Sequence, residues 1–358
     1  MKNILISTGG SGGHIFPAIA LYEHLKASSK VYISTDKRGS RFLEEYSLKF
    51  KIIDVPNLFS NVLKLPINFF QFVKCIYKSF NFLKKNKIDI LISTGGYMSI
   101  PICIASIFLD IKIFLFEPNM IIGRANNFVL KFSKKLICYD KSIKGFSKKY
   151  QSKIYIIPPV LRKELYIINK NNINKIEDNI KIIVIGGSQG AKFFDNIIPK
   201  LILKLSSDCK IEICQQVYDE NKTSELKKIY NENNVNFELF RYDKDLFKKL
   251  CKYDLAITRS GASAISELAQ ANVPFIAVPF PFAQDDHQFL NAKYYRDKNC
   301  CWLVNQNEFE IEKMSIFIKN LIIKKDDYFE KRKNLKNVTY QNTWDNINQK
   351  LLRLINDN

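Results

Sequence analysis

Three stretches of the chain share one pattern: a short apolar strand, a paired-glycine turn, then a helix-forming run. They are Asn3-Ile-Leu-Ile-Ser-Thr-Gly-Gly-Ser-Gly-Gly-His14-Ile-Phe-Pro-Ala18, Ile90-Leu-Ile-Ser-Thr-Gly-Gly-Tyr-Met-Ser-Ile-Pro101 and Ile180-Lys-Ile-Ile-Val-Ile-Gly-Gly-Ser-Gln-Gly-Ala191. A strand that passes straight into a helix through a glycine turn predicts a parallel βαβ unit. Further short apolar runs support this reading. In the first half they are Lys30–Ser34, Phe50–Val55, Ile88–Ser93, Lys112–Phe116, Lys135–Cys138 and Lys153–Ile157. In the second half they are Lys210–Cys214, Val235–Phe240, Leu255–Thr258, Phe275–Val278 and Cys301–Val304. Between the halves, Pro158-Pro159 and a polar run from Ile167 to Asn179 read as a boundary. The expected fold is α/β, two tandem Rossmann-like doubly wound domains over residues 1–160 and 161–340. A closing helix over 341–358 is expected to pack back on the first domain. Open α/β sheets bind ligands at the carboxyl ends of their strands, so the glycine turns mark the places to search.

In the first turn, Gly9, Gly10, Gly12 and Gly13 are expected to supply positive φ and close backbone approach. A helix starting near Phe16, with Pro17 in its first turn, would aim free N–H groups at the turn. That suits an anion or a sugar oxygen, and His14 stands at the mouth. A solvated histidine on a tight turn is the plainer alternative.

The second half carries Thr258-Arg-Ser-Gly-Ala-Ser-Ala-Ile-Ser-Glu267, a turn and a helix start lined with small residues. Such an N-terminus favours a diphosphate, and Glu267, about one and a half turns in, could accept two hydrogen bonds from vicinal hydroxyls. A capped surface helix with a solvated glutamate is the alternative. Downstream, Asp286, His287 and Gln288 offer donors and acceptors for sugar hydroxyls. Asp285, Asp286 and His287 are adjacent, and adjacent side chains rarely converge on one ion, so no metal is expected.

The charge is unusual: 55 Lys+Arg against 35 Asp+Glu, a formal net charge of +20. A surplus of that size points to a polyanionic partner, either nucleic acid or an anionic membrane surface. Eight scattered cysteines without a CxxC pair exclude a zinc framework and suit a reducing compartment. No secretory signal is expected, and the longest apolar stretch, Ile100 to Phe116, is broken by Asp110 and Lys112, short of a span of about 20 residues. From Lys64 to Lys87 there are six lysines and no acid. Phe69, Val73, Ile76, Phe80 and Leu83 recur at helical spacing, with Phe70, Phe72, Tyr77 and Phe82 widening the stripe. A helix carrying Lys64, Lys74, Phe69, Phe70, Val73 and Phe80 would suit an anionic bilayer interface. A core-facing helix with a solvated lysine face fits the same spacing. Lys131 to Lys153 adds eight lysines against one acid, Asp140.

Taken in order, "STGGSGGHIFPAIA", "STGGYMSIPICIAS", "EPN", "GGSQGAK", "RSGASAISELA" and "AQDDHQFLNA" closely resemble glycosyltransferase family 28. These are the N-acetylglucosaminyltransferases that complete lipid II in peptidoglycan synthesis. The resemblance runs from residue 3 to about residue 295. It implies the GT-B fold, two Rossmann-like domains facing across a cleft, with the acceptor on the first and the donor on the second. It implies inverting transfer from UDP-GlcNAc to the C4 hydroxyl of MurNAc in lipid I, with no cofactor. It further implies a peripheral enzyme on the cytoplasmic face of the inner membrane, open to contact with other cell-wall or division proteins. By the same resemblance, Ser11, Gly12, Gly13 and His14 lie near the reacting sugar, with His14 as general base. Gly96, Tyr97 and Ser99 face the lipid diphosphate, and Asn119 reaches the donor sugar. Ser188 and Gln189 belong to the second-domain loop. Ala262, Ser263, Ala264, Ile265 and Ser266 run along the diphosphate, Glu267 holds the ribose, Gln288 reads the GlcNAc hydroxyls, and Tyr242 lies by the uracil. The chain departs from the family where Phe116-Glu-Pro-Asn119 replaces His-Glu-Gln-Asn. It departs again where Pro158-Pro-Val-Leu-Arg162 replaces Gly-Asn-Pro-Val-Arg, which offsets Arg162 by one residue from the family arginine. Competing readings are another GT-B UDP-sugar transferase, an NAD-binding protein using Gly9 to Gly13 with Asp36, and a nucleic-acid binder.

Overall fold

A computed structural model describes residues 1–10, 12–56, 65–167, 179–187 and 190–357. The chain divides into two compact units, Met1–Lys163 with Thr343–Asn358, and Glu164–Asn342. Each is built on one sheet of parallel strands.

The first unit holds β1 (Asn3–Ser7), β2 (Lys30–Thr35), β3 (Lys51–Ile52), β4 (Ile90–Ser93), β5 (Lys112–Glu117), β6 (Lys135–Cys138) and β7 (Ile154–Ile156). Their order is β3-β2-β1-β4-β5-β6-β7, with Ser7 of β1 aligned to Ser34 on one side and Ser93 on the other. Sheet growth reverses between β1 and β4, and a ligand crevice forms at such a switch point. The linking helices are α1 (Gly12–Leu25), α2 (Lys37–Glu45), α3 (Leu65–Lys85), α4 (Ile100–Phe108) and α5 (Arg124–Val129). Central strands are covered on both faces, so they read as unbroken apolar runs. Leu5, Leu91, Ile113 and Leu115 share a core with Phe72 and Leu83 of α3 and Ile102 of α4, whereas Ile33 packs with Ile15, Ile19 and Leu43. The expected strand Phe50–Val55 shrinks to Lys51–Ile52, an exposed edge that is kept short.

Helix α1 starts at Gly12, four residues before Phe16, and Pro17 lies inside it. The only acceptor that Pro17 leaves unserved is the Gly13 carbonyl in the first turn, so the ring is tolerated. Gly12 and Gly13 are therefore helical. Among the described residues of that turn, only Gly10 has positive φ, at 82°.

The second unit opens on α6 (Lys163–Ile167), where the chain crosses, and holds β8 (Asn179–Ile185), β9 (Lys210–Gln216), β10 (Asn236–Phe240), β11 (Leu255–Thr258), β12 (Phe275–Ala277) and β13 (Cys301–Leu303). Their order is β10-β9-β8-β11-β12-β13, with the reversal between β8 and β11. Around this sheet lie α7 (Lys192–Ser206), α8 (Thr223–Glu232), α9 (Leu246–Lys249), α10 (Ala262–Gln270), α11 (His287–Asp297), α12 (Ile311–Lys324) and α13 (Asp326–Thr339).

The last helix, α14 (Trp344–Asp357), returns to the first unit. Trp344 stacks on His24 of α1 at 3.8 Å, and His24 Nδ1 lies 2.7 Å from Asn348 Oδ1. The Tyr155 hydroxyl donates to the Lys350 carbonyl at 2.9 Å. Burial pushes the His24 imidazole down to about 4, so it packs as the neutral ring.

Candidate active site

In the first unit the β1–α1 and β4–α4 turns lie side by side because their strands are neighbours. Their glycines let them press together. A methyl on Gly9 would sit 2.8 Å from Met98 Cβ. On Gly95 (φ +87°) it would sit 3.1 Å from Asn126 Nδ2 and 3.4 Å from His14 Cε1. A methyl on Gly96 (φ +83°) would lie 3.6 Å from Cδ2 of the same imidazole. The ring is fixed by one bond, His14 Nδ1 to the Thr94 carbonyl at 2.8 Å. A carbonyl only accepts, so Nδ1 carries a hydrogen, and in the neutral ring the lone pair is then on Nε2. That tautomer is the one a general base requires.

Glu117, at the end of β5, is buried and organises the neighbouring loop. Its Oε1 accepts from Asn119 N (3.3 Å) and Asn119 Nδ2 (2.8 Å). Its Oε2 accepts from Gly123 N (2.8 Å) and Asn126 Nδ2 (3.1 Å). Asn126 Oδ1 in turn accepts from Ser93 Oγ, whose oxygen accepts the Gly95 N–H at 3.2 Å. A continuous polar chain thus runs from Asn119 to the second glycine turn. In the sequence only the acid of "EPN" hinted at Glu117, and nothing marked Asn126. Phe116, where the family has histidine, is fully buried edge-on to Tyr139, so its side chain belongs to the core.

Three expected ligands in this unit are already engaged. Ser99 is buried and its hydroxyl donates to Gly96 O at 2.8 Å, so it closes the turn rather than facing a diphosphate. The Arg162 guanidinium donates to the Tyr46 hydroxyl at 2.7 Å and lies over the Phe16 ring. The half-buried Tyr97 packs on Phe72, ring centroids 6.3 Å apart. Asp36, which an NAD site would need for ribose, accepts from Gly10 N (3.1 Å) and caps α2 through Gly39 N (2.8 Å). With its carboxylate spent on the backbone, the NAD reading loses its anchor.

In the second unit, α10 starts at Ala262 after Gly261. Helix geometry leaves the N–H groups of Ala262, Ser263 and Ala264 without intrahelical acceptors. Ile265 N already donates to Gly261 O at 3.2 Å. The side chains of Ile265 and Ser266 point into the core, where Ser266 Oγ meets the Tyr295 hydroxyl. A methyl on Gly261, or on Gly187 (φ +88°) of the turn after β8, would meet no described residue beyond its chain neighbours within 4 Å. Among the described residues the helix end is therefore uncrowded. Glu267 is half-buried on the same helix, and Tyr242 follows β10. Gln288 Oε1 accepts the Phe280 N–H at 3.0 Å and so also shapes its loop. Asp285 and Asp286 adopt left-handed backbone, and His287 Nδ1 bonds Gln284 O. Among the described residues no group of three or more His, Cys, Asp or Glu is placed to hold a metal.

Arg259, at the end of β11, had no role assigned from sequence. It is buried, donating to Val278 O (3.1 Å), Pro279 O (3.0 Å) and Gln306 Oε1 (2.5 Å), beneath the rings of Phe194 and Phe280. Burial lowers it to about 10, so it stays charged near neutrality and pins the β12–α11 loop. Ser11, Ser188, Gln189 and Lys64 lie outside the described residues.

Helix α3 buries Phe72, Cys75, Ser79 and Leu83. Phe69, Phe70, Val73 and Tyr77 are exposed, Phe70 to 70%, beside exposed Lys74 and Lys78. Phe80 is half-buried against the core and does not belong to the exposed stripe, because residues at i and i+4 drift round the helix. Lys153 is likewise spent, its Nζ donating to Leu130 O, Lys131 O and Ser133 O. Among the described residues no helix is long and apolar enough to cross a membrane.

Comparison with known proteins agrees with this geometry. Residues 4–138 match the glycosyltransferase family 28 N-terminal domain and residues 181–347 its C-terminal domain. The UDP-N-acetylglucosamine–N-acetylmuramyl-(pentapeptide) pyrophosphoryl-undecaprenol N-acetylglucosamine transferase of Pelagibacter ubique (strain HTCC1062) is 44% identical over 357 residues, covering 100% of this chain and 99% of that protein. Its namesake in Rickettsia felis is 33% identical over 336 residues, covering 90% of this chain and 91% of its own. Among solved structures, MurG of Acinetobacter baumannii superposes with a TM-score of 0.76 at 21% identity, over 98% of this chain and 99% of that one. A UDP-glucosyltransferase from Polygonum tinctorium shares the fold with a TM-score of 0.69 at 10% identity, over 99% and 98%. From its two α/β units to its full-length relatives, the chain belongs to glycosyltransferase family 28 and is a glycosyltransferase.

Proposed function

We propose that this enzyme transfers N-acetylglucosamine from UDP-N-acetylglucosamine to the C4 hydroxyl of the muramoyl sugar of lipid I, inverting the anomeric carbon and giving lipid II. The observation that carries this reading is the 44% identity, along the whole chain, to a transferase named for that donor and that acceptor. In the reaction the C4 hydroxyl attacks C1 and the bond from C1 to the diphosphate oxygen breaks. The hydroxyl proton passes to His14 Nε2, the nitrogen left unprotonated by the Thr94 bond. UDP leaves with the bonding electrons, and the open N-terminus of α10 stabilises its charge through the Ala262, Ser263 and Ala264 N–H groups. Gly12, Gly13 and Gly96 keep the first-unit turns low enough for a sugar to approach His14, with Tyr97 beside them on the acceptor side. Asn119, held by Glu117, and Gln288 orient the donor sugar, Glu267 takes the ribose hydroxyls, and the backbone near Tyr242 takes the uracil. Ser11, Ser188 and Gln189 complete the two turns.

The acceptor is lipid-linked, so the enzyme works as a peripheral protein on the cytoplasmic face of the plasma membrane. The exposed aromatics of α3 with Lys74 and Lys78, and the exposed Phe108, Phe128 and Phe132 of the same unit, support this. It also gives the charge of +20 a partner other than nucleic acid. The deciding experiment is transfer of labelled GlcNAc from UDP to a lipid I analogue, with other UDP-sugars as competitors. Transfer to a different acceptor, with none to lipid I, would leave a UDP-sugar transferase of another specificity.

A further inference from the structure

Gln216, the last residue of β9, is buried, and its side-chain amide makes three hydrogen bonds to main chain. Its Oε1 accepts from Gly186 N at 2.9 Å, and its Nε2 donates to Gly187 O at 2.9 Å and to Arg241 O at 3.0 Å. The bonded segments lie on opposite sides of β9. Gly186 and Gly187 form the turn after β8, and Arg241 precedes Tyr242 after β10. β8 and β10 do not pair, so this amide ties the two strand ends together. Gly186 and Gly190 are closely packed: a methyl on Gly186 would lie 2.5 Å from Ala191 N, and one on Gly190 3.0 Å from Tyr218 Cα. The adjacent Gln215 points the other way, its Oε1 accepting from the Tyr230 hydroxyl at 2.6 Å inside the core.

We infer that Gln216 is a positioning residue of the donor site, locking the segment that meets the nucleotide base to the glycine turn after β8. The inference rests on the second unit being the donor side. Binding at either end then orders the other, because the amide can satisfy all three partners only in one mutual arrangement.

Hydrogen exchange on the wild-type enzyme tests this without a variant. Uridine, which has no phosphate, slows exchange at the Gly186 and Gly187 amides as well as around Tyr242. Gln216→Met keeps the side-chain length and removes all three bonds. UDP binding weakens by about tenfold or more, kcat at saturating donor falls less than threefold, and uridine no longer protects Gly186. Tyr230→Phe, which removes the buried bond of the neighbouring glutamine, lowers the melting temperature but leaves UDP affinity within twofold. The inference is overturned if uridine leaves Gly186 and Gly187 exchange unchanged in the wild type. It is equally overturned if a folded Gln216→Met binds UDP within twofold of wild type. Should Gln216→Met not fold, the wild-type exchange result decides. A wild-type enzyme that binds neither uridine nor UDP removes the donor-site reading itself, whereas one that binds UDP without the coupled protection removes only the role of Gln216.

Discussion

The two units use glycine for opposite purposes at equivalent strand ends. In the first, Gly9 and Gly95 are filled space, where a methyl would strike Met98 or press on Asn126, and one on Gly96 would touch His14. In the second, no described residue beyond their chain neighbours lies within 4 Å of where a methyl on Gly187 or Gly261 would go. One set packs two turns around an imidazole, and the other leaves a helix N-terminus uncrowded among the described residues. The first arrangement suits proton transfer, which needs a rigidly aimed side chain, and the second suits an anion, which needs backbone N–H groups and room. One residue type therefore builds a packed pair of turns in one unit and an uncrowded turn in the other.

That difference is open to attack by measurement, most strongly at His14. His14→Ala is expected to lower turnover by about 10²- to 10⁴-fold, with UDP-GlcNAc affinity unchanged by calorimetry; an equal loss of donor affinity would erase the division of labour. Acid should also separate the units. The folded His24 lies near 4 against 6.5 unfolded, so its contribution is intact above pH 6.5 and is lost as pH falls toward 4. The loss in the first unit is about 3 kcal/mol. Asp195 in the second unit is raised by burial, so its linkage has the opposite sign and stability is regained as pH falls. The chain has two tryptophans, Trp344 stacked on His24 and Trp302 in the second unit. Urea melts of Trp344→Phe and Trp302→Phe variants at pH 7 and pH 4.5 would follow each unit, and parallel shifts would refute the asymmetry. Next come the glycines. Gly95→Ala, clashing and at positive φ, should cost about 2 kcal/mol in thermal melts and slow transfer. Gly261→Ala should melt like wild type, since its φ of −63° suits any residue, yet weaken UDP-GlcNAc binding by about tenfold. The smallest effect belongs to the membrane face, where Lys74→Ala should weaken binding to anionic vesicles by about fivefold, with transfer to a short-chain soluble acceptor unaltered. Equal loss on neutral vesicles would argue that α3 binds through its aromatics alone.

Much of this molecule is legible in one dimension. The apolar runs mark every long strand, because strands covered on both faces leave no polar positions to blur them. The helix start at Ala262 follows from small residues after Ser260-Gly261. Other features resisted. The first turn looks like four flexible glycines, but two of them are the opening turn of α1, despite glycine's weak helix propensity. The stripe through Phe69, Phe80 and Leu83 looks like one face, but the core takes Phe72 and Leu83 and leaves Phe69 outside, a choice set by where α4 lies.

By itself, then, the amino-acid order determined the two sheets, the glycine turns at their strand ends, the position of His14 and membership of the family, since each depends on residues within a few turns of one another. Only the tertiary structure decided that Glu117 and Asn126 brace the β4–α4 turn against which His14 rests, that Gln216 joins two strand ends, and that α14 clasps α1 through Trp344 and His24. Those contacts link residues from about ten to more than three hundred positions apart. They depend on which strands become neighbours, and that is settled by the burial of the whole sheet and not by any local preference.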